Sequence, residues 1–373
     1  MKKSILMFAT LFVFSSFLHD NELVLSDTLL DDESVSIIFS GDIMGHSPQF
    51  QAAYNKVDGT YNYDICFRSV KPYIDNADIA VTNLEVPLAG KPYSGYPYFS
   101  SPDALLDALK NAGYDVILTA NNHVLDRGKY GLERTLKMIT DRKLKHAGSY
   151  VNKAQKDSIY PLMLEKKGVK IALLNYTYGT NGNKLTPPNV VNRIDTNVIK
   201  NDIRRAKMKQ PDLTVITLHW GNEYELQANT EQQMLARLFV REGVDLLIGG
   251  HPHVVQNAEF LSTGTSVVPV FYSLGNSISN QRKPHTDGGI MVKVKIGVHS
   301  RKIISTSYLP VYVYRGVLNT QYQYHLIPTI DFIKSPQSFS LPVADSVALR
   351  FFDTETKKRL PVFPVLDENL ISF

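Results

Sequence analysis

The chain has 373 residues, 43 % hydrophobic and 20 % charged, which is typical of a soluble globular protein with one large or two ordinary domains. Its 40 lysines and arginines stand against 36 aspartates and glutamates, and this near balance argues against nucleic acid as a partner. Cys66 is the only cysteine, so an intramolecular disulfide and a metal site built from several thiolates are both excluded. Any metal site must therefore rely on histidine, asparagine and carboxylate side chains.

The N-terminus has the pattern of an export signal. Lys2 and Lys3 precede residues 5–18, a stretch without a charge. A membrane-spanning helix needs about 20 apolar residues, so this shorter stretch predicts a signal over residues 1–20. The alternative is an uncleaved signal anchor. In either case we expect an exported protein that is periplasmic, extracellular or membrane-anchored at the cell envelope.

The first two predicted strands end in polar side chains. Residues 36–40 form an apolar run with β-branched residues, which predicts a buried strand, and Gly41 and Asp42 follow it. Residues 78–84 form a second apolar run, which begins at an aspartate and leads to Glu85. Both patterns place a carboxylate at the end of a strand.

A helix and a third strand follow. Ser101 is the predicted N-cap of this helix, since a proline occupies the next position, and Gly113 is predicted to end it. The strand at residues 115–120 then leads into a loop that contains Asn121, Asn122, His123, Asp126 and Gly128. In α/β proteins ligands bind at this edge of a sheet. The alternative is an asparagine-rich turn with a surface histidine.

The second half of the chain repeats this construction. Strands are predicted at 169–175, 213–218 and 245–248, with helices at 131–143, 196–209 and 230–241. His219 follows one strand, and His251 and His253 follow another. Residues 176–189 form a turn-rich loop and a candidate lid, while 289–296 and 301–314 alternate like antiparallel strands. A short helix is a weaker prediction for 342–359. Alternating helices and strands predict an α/β fold with polar residues gathered at the carboxyl ends of its strands.

The polar residues at five strand ends suit metal chemistry. They are Asp42, Asn83, Glu85, Asn122, His123, Asp126, His219, His251 and His253. Carboxylates, an amide oxygen and imidazoles favour one or two divalent ions, with Mn, Fe and Zn as candidates. Two such ions can clamp an attacking hydroxide and an ester oxygen, and a free histidine can protonate the leaving group. The alternative is that each side chain only caps a turn, which is hard to sustain at five strand ends together.

Six short motifs occur in the order known from one protein family and cover approximately residues 35–314. They are Ser40-Gly41-Asp42-Ile43-Met44, Asn83-Leu84-Glu85, Ala120-Asn121-Asn122-His123 with Asp126 and Gly128, His219-Trp220-Gly221 with Glu223-Tyr224, Gly250-His251-Pro252-His253-Val254, and Tyr272-Ser273-Leu274-Gly275-Asn276. The chain thereby resembles the CapA family of bacterial poly-γ-glutamate capsule synthesis proteins. That family belongs to the calcineurin-like metallophosphoesterase superfamily.

The resemblance implies a fold and a set of roles. The fold would be a four-layer αββα sandwich of two mixed sheets over residues 35–315, followed by a C-terminal extension at 316–373. The superfamily pattern implies these metal ligands: Asp42, Asn122, His219, His251 and His253. Glu85 falls where a bridging aspartate is common, His123 would assist the leaving group, and Asp126 would orient His123.

One departure separates this chain from the superfamily pattern. The first motif usually reads Asp-x-His, and Met44 here replaces the histidine, so one metal would lose a nitrogen ligand. His46 is a candidate replacement. This departure puts phosphatase-type activity in doubt, though not metal binding.

The resemblance leaves two functions open. The first is a metal-dependent hydrolase, phosphoesterase-like or amide-cleaving, whose substrate is an envelope polymer or a small molecule. The second is a non-enzymatic envelope protein that retains a degenerate metal site and binds polymer or capsule-assembly membrane proteins. A polyanionic substrate would require cations near the site, and Lys91, Arg127 and Lys129 are the candidates.

Overall fold

The computed structural model describes residues 33–264, 266–318 and 321–367, so the predicted export signal lies outside the described residues. The strands are β1 (Ser34–Ile43), β2 (Ile79–Leu84), β3 (Val116–Leu118), β4 (Lys145–Ala147), β5 (Ser149–Tyr150), β6 (Leu162–Lys166), β7 (Val169–Thr177), β8 (Val190–Val191), β9 (Leu213–His219), β10 (Leu246–Gly250), β11 (Ala258–Ser262), β12 (Val267–Phe271), β13 (Asn276–Ile278), β14 (Gly288–Gly297), β15 (Ile303–Leu318) and β16 (Gln321–Pro328). The helices are α1 (Ser47–Ala53), α2 (Asp64–Phe67), α3 (Lys71–Asp75), α4 (Ala104–Ala112), α5 (Gly128–Asp141), α6 (Lys153–Ile159), α7 (Thr196–Met208), α8 (Thr230–Arg241), α9 (Thr329–Lys334) and α10 (Val343–Arg359).

Two mixed sheets form the centre of the molecule. The first has the order β16-β15-β14-β1-β2-β3-β4, and β13 also pairs with β1. Strands β1 to β4 run parallel, whereas β14, β15 and β16 are antiparallel to their neighbours. The second has the order β11-β12-β10-β9-β7-β6, with parallel inner strands and an antiparallel strand at each edge. The two shortest strands, β5 and β8, form a separate antiparallel pair.

Apolar side chains alternate between the two faces of each sheet, and both faces are buried. In β1, Phe39 enters the core between the sheets, while Ile38 faces the helices that cover the first sheet. In β10, Ile248 enters the same central core and Leu247 faces the helices outside the second sheet. Burial on both faces explains why the sequence shows continuous apolar runs here. The predicted four-layer αββα sandwich is confirmed.

Helix α4 begins later than the sequence predicted. Its N-cap is Asp103 and not Ser101, and the side chain of Asp103 does not cap the helix. Arg134 instead donates two hydrogen bonds of 2.7 Å to the Asp103 carboxylate. A long-range charge-assisted pair has thus replaced the local cap, which the sequence pattern alone cannot reveal.

The C-terminal part of the chain belongs to the same body. Strand β16 extends the first sheet, and α9 and α10 pack against β15. Leu349 and Phe352 of α10 enter the central core. The short helix predicted within 342–359 is present but longer than expected, since it has 17 residues. Among the described residues, no helix is long and apolar enough to cross a membrane.

The central core supplies a test of the layer assignment. Phe39 is 1 % exposed between the sheets, whereas Phe351 on α10 is 56 % exposed. We expect Phe39→Ala to lower the free energy of unfolding by about 3–5 kcal/mol, because it leaves a cavity in a packed layer. The matched change Phe351→Ala should cost less than about 1 kcal/mol. Denaturant titration of both variants measures these losses, and equal losses would contradict the layer assignment.

Candidate metal centre

The carboxyl ends of five strands from both sheets meet at one edge of the sandwich. All eight residues predicted for the site are buried there. Asp42 lies in β1, Glu85 follows β2, Asn122, His123 and Asp126 follow β3, His219 ends β9, and His251 and His253 follow β10. Parallel strands within each sheet bring these ends together, as expected for ligand sites in α/β folds. The two facing sheets supply opposite walls of one cluster.

Two groups of candidate ligands share one carboxylate. In the first group, ligand atoms of Asp42, Glu85 and His219 all lie within 4.8 Å of one another. In the second, the same limit holds for Glu85, His251 and His253. Glu85 Oε1 lies 3.4 Å from His219 Nε2 and 3.7 Å from His253 Nε2. Glu85 therefore occupies the place that a bridging ligand would take.

Asn122 joins the first group, because its Oδ1 lies 2.9 Å from His219 Nε2. The Asp42 carboxylate is held by two donors. Asn83 Nδ2 donates to Asp42 Oδ1 at 2.8 Å, and the backbone N–H of His251 donates to Asp42 Oδ2 at 3.1 Å. Asn121 Nδ2 in turn donates to Asn83 Oδ1 at 3.1 Å. This chain of amides fixes the orientation of the carboxylate before any ligand binds.

The turn that carries His251 and His253 is strained. His251 and His253 have φ angles of 97° and 58°, in the left-handed region that L-residues seldom adopt. Gly250 lies directly before this turn, and a Cβ atom there would stand 2.9 Å from Asp42 Oδ1. Glycine is therefore needed for the close approach of β10 to β1, which joins the two walls of the cluster.

The polar atoms of the cluster fit a bound cation. Glu85 is fully buried, and neither of its oxygens has a hydrogen-bond donor among the described residues. His251 Nδ1, also buried, likewise has no hydrogen-bond partner within the described part of the chain. A buried acceptor without a donor is costly, and a divalent ion would satisfy several of these atoms at once. The donor set of carboxylate, amide and imidazole is compatible with divalent metal binding.

Burial controls the charges in this cluster. It raises the pKa of Glu85 to about 8, and together with repulsion from Glu85 it raises the pKa of Asp42 to about 6. Burial also lowers the pKa of His219 and of His253 to about 4. Neutral imidazoles are the form that binds metals, whereas the carboxylates must lose their protons first. Metal binding should therefore release protons near neutral pH.

His123 and Asp126 form a buried pair beside the cluster. His123 Nδ1–H donates to Asp126 Oδ2 at 2.7 Å, and the backbone N–H of Phe99 donates to the same oxygen at 2.9 Å. Burial by itself would lower the pKa of His123, but the hydrogen bond to Asp126 and the charge of Glu85 outweigh it and raise that pKa. Asp126 thus binds Nδ1 of His123, and Nε2 is the nitrogen outside this hydrogen bond.

The position that departs from the superfamily pattern lies outside the cluster. Met44 is 2 % exposed and packs in the core between the first sheet and its helices. His46 belongs to neither ligand group, since its Nδ1 faces Gln49 Oε1 at 3.1 Å and the backbone N–H of Asn280 at 3.3 Å. The hypothesis that His46 replaces the missing ligand is not supported by this arrangement.

Two loops border the cluster. From the predicted lid, the Tyr178 ring lies 4.5 Å from the His251 ring, and Asn181 Nδ2 lies 3.5 Å from His123 Nδ1. The second loop, residues 87–99 before α4, is rich in aromatic side chains. Arg127 holds it by donating to the carbonyl oxygens of residues 98 and 99. Lys129 lies 3.9 Å from a glutamate on its own helix. Both cations have partners within the chain, and the binding of a polyanion by them and by Lys91 stays a prediction.

Asn276 is the site residue that sequence reasoning did not single out. Its Oδ1 accepts a hydrogen bond of 3.0 Å from His253 Nδ1, and its Nδ2 donates to the carbonyl oxygen of His253 at 3.2 Å. This contact turns His253 Nε2 toward Glu85. The signal was present, because Gly275 and Asn276 follow an apolar strand as the other site residues do.

The sandwich and the cluster at its edge define an α/β protein of two mixed sheets with a candidate metal centre. The chain itself belongs to the family of the bacterial capsule synthesis protein PGA_cap, whose model matches residues 36–281. It is 29 % identical over 277 residues to the capsule biosynthesis protein CapA of Bacillus anthracis, which covers 70 % of this chain and 64 % of that protein. It is 31 % identical over 272 residues to the PGA biosynthesis protein CapA of Bacillus subtilis strain 168, covering 70 % of this chain and 68 % of the relative.

Solved structures with a related arrangement are more distant. The NAD nucleotidase NadN of Haemophilus influenzae is 12 % identical with a TM-score of 0.47, covering 87 % of this chain and 60 % of that chain. The calcineurin-like phosphoesterase YfkN of Bacillus subtilis is 12 % identical with a TM-score of 0.43, covering 88 % of this chain and 98 % of that one.

The buried state of Glu85 predicts an unusual pH dependence of stability. Folded Glu85 keeps its proton up to about pH 8, whereas the unfolded chain releases it near 4.5, so rising pH destabilises the metal-free fold in between. His219 and His253 act in the opposite direction, but only below the ordinary histidine value of 6.5, whereas the raised pKa of His123 adds to the fall above that value. Between about pH 6.5 and 8 we expect the free energy of unfolding to fall by up to about 1.4 kcal/mol per pH unit.

Denaturant unfolding in the presence of a chelator measures this slope. Glu85→Gln should reduce it, because this titrating carboxyl is gone and only His123 continues to contribute. The matched change at the exposed Glu165, Glu165→Gln, should leave it as in the wild type. Equal slopes in wild type and Glu85→Gln would show that Glu85 does not hold its proton in the folded state.

Proposed function

We propose that this chain is an exported, metal-dependent hydrolase that acts on a polymer or a small molecule of the bacterial envelope. The observation that carries the proposal is the Glu85 carboxylate, which is buried without a donor and shared by two ligand groups beside the His123–Asp126 pair. The capsule-related names of the two relatives support an envelope polymer. The basic start and uncharged stretch at residues 1–20 support export.

The residues present would hold up to two divalent ions. Asp42, Asn122 and His219 would hold one, His251 and His253 the other, and Glu85 would contact both. A bound ion of this kind polarises a phosphoryl or carbonyl oxygen and lowers the pKa of a coordinated water. The protein contributes a dry, rigid setting, because the amide chain and the strained turn fix the ligands in advance.

His123 is the candidate for proton transfer. Its raised pKa keeps the imidazole protonated closer to neutral pH, as general-acid catalysis requires. Asp126 holds the Nδ1 proton, so the transferable proton sits on Nε2. The neighbouring Asn181 and Tyr178 would orient the substrate from the lid side.

A second function is favoured by one observation. Met44 is packed in the core and supplies no ligand, so one side of the cluster lacks a nitrogen donor. A protein with such a site would suit a non-enzymatic role, in which the chain binds envelope polymer or capsule-assembly membrane proteins. Measured hydrolysis of a substrate distinguishes the hydrolase from the binding protein.

The test uses protein from residue 20 onward, loaded with Mn²⁺ or Zn²⁺, and two chromogenic substrates, a phosphodiester and a γ-glutamyl anilide. We expect the wild type to hydrolyse one of them and His123→Ala to be slower by at least about a hundredfold with unchanged metal content. The control His299→Ala changes an exposed histidine and should keep the wild-type rate.

Preference for one substrate separates ester from amide hydrolysis. Wild-type rates in His123→Ala would remove this residue from the proposed chemistry. Failure of the metal-loaded wild type to hydrolyse either substrate would contradict the hydrolase proposal and favour the binding protein.

A further inference from the structure

A cleft of about 250 Å³ is lined by three cations. Arg282 and Lys283 lie on the loop between β13 and β14, and Arg315 lies on β15. Asp287 and Asp345 also line the cleft, so cations outnumber carboxylates there. Burial raises the pKa of Asp287, and the nearby charge of Arg282 opposes this shift.

The loop that carries Arg282 and Lys283 is fastened to the candidate metal centre. Asn276 Nδ2 donates to Gln281 Oε1 at 3.0 Å and to the carbonyl oxygen of Thr286 at 2.9 Å, so it holds both ends of the loop. The same side chain accepts the hydrogen bond from His253. One asparagine thus sets the position of a metal-ligand candidate and of the cationic loop together.

Lys283 contacts an aromatic side chain that lies near the candidate metal centre. Its ammonium group lies 3.6 Å from the centre of the Tyr224 ring, a cation–π contact, and that ring lies 6.4 Å from the His253 ring. The Tyr224 ring therefore contacts the ammonium group and lies near a candidate metal ligand. Tyr224 is only partly exposed, and its φ angle of 70° holds it at the mouth of the cluster.

The two arginines are positioned by neutral groups. Arg315 Nη1 donates to Asn280 Oδ1 at 3.0 Å, and the Asn280 backbone N–H approaches His46 Nδ1 at 3.3 Å. The Arg282 guanidinium lies over the Tyr324 ring at 5.8 Å. Within the described part of the chain, none of the three cations has a carboxylate oxygen within 4.0 Å. Their positive charge is therefore available to a ligand.

We propose that this cationic cleft is an anion subsite for the substrate. A carboxylate or phosphate group of the chain being cleaved would bind Arg282, Lys283 and Arg315, while the neighbouring bond reaches the candidate metal centre. Arginine suits this task because its planar fork donates two parallel hydrogen bonds to either anion. This inference rests on the proposed function, because one substrate molecule would occupy the cleft and the candidate metal centre together.

The direct test is binding of two anionic probes to the metal-loaded protein, a fluorescent γ-glutamyl hexamer and inorganic tripolyphosphate. In Arg282→Gln/Arg315→Gln we expect the dissociation constant of the preferred probe to rise at least about tenfold, because two charge-assisted contacts are lost. The matched control Arg204→Gln/Arg241→Gln removes two exposed arginines from α7 and α8 and should bind as the wild type.

The two probes distinguish a carboxylate polymer from a phosphate polymer, since the one that binds more tightly identifies the anion. Wild-type affinity of the cleft variant for both probes, with unchanged circular dichroism and metal content, would overturn the subsite. A fall of affinity in the control equal to that in the cleft variant would overturn it as well, since net charge would then explain the binding.

Repeating the titration on His251→Ala separates this inference from the hydrolase proposal. Arginine-dependent probe binding that persists in this variant would support the cleft independently of the candidate metal centre. If the metal-loaded wild type then showed no turnover, the hydrolase proposal alone would fail. Turnover in the wild type without arginine-dependent binding supports the hydrolase and overturns the cleft.

Discussion

The carboxylate of Glu85 is the group on which the rest of the site depends. It is fully buried, it has no hydrogen-bond donor among the described residues, and it lies between the histidines of the second sheet. An isolated carboxylate in such a place favours its protonated form or a cation. The other candidate ligands lie in two groups that both include Glu85, so a metal bound to this carboxylate would contact residues of both sheets.

The fold provides this arrangement through strand direction. Parallel strands β1, β2 and β3 end at the same edge as the parallel strands β9 and β10, and the central core keeps the two sheets face to face. Asp42 then links the sheets, because it accepts hydrogen bonds from Asn83 on its own sheet and from the His251 backbone on the other. The site is thus held by the same contacts that hold the layers.

Much of this site could be predicted because each strand end shows itself in the sequence as an apolar run that breaks into polar residues. Asp42, His219 and His251 were found in that way, and the family resemblance supplied their roles. Long-range pairing could not be predicted. Asn276 matters because β13 pairs with β1. The cap prediction at Ser101 was wrong because the helix begins only after Asp103, whose carboxylate binds Arg134. The cationic cleft likewise depends on strands far apart in sequence.

The most direct measurement is calorimetric titration of the metal-free protein with Mn²⁺ or Zn²⁺, comparing wild type with Glu85→Gln. Because Glu85 belongs to both ligand groups, its replacement should weaken every ion that the wild type binds by at least about tenfold. Asp126→Asn, which changes only the partner of His123, should keep the wild-type number of ions. Wild-type stoichiometry and affinity in Glu85→Gln would contradict a shared, metal-binding carboxylate.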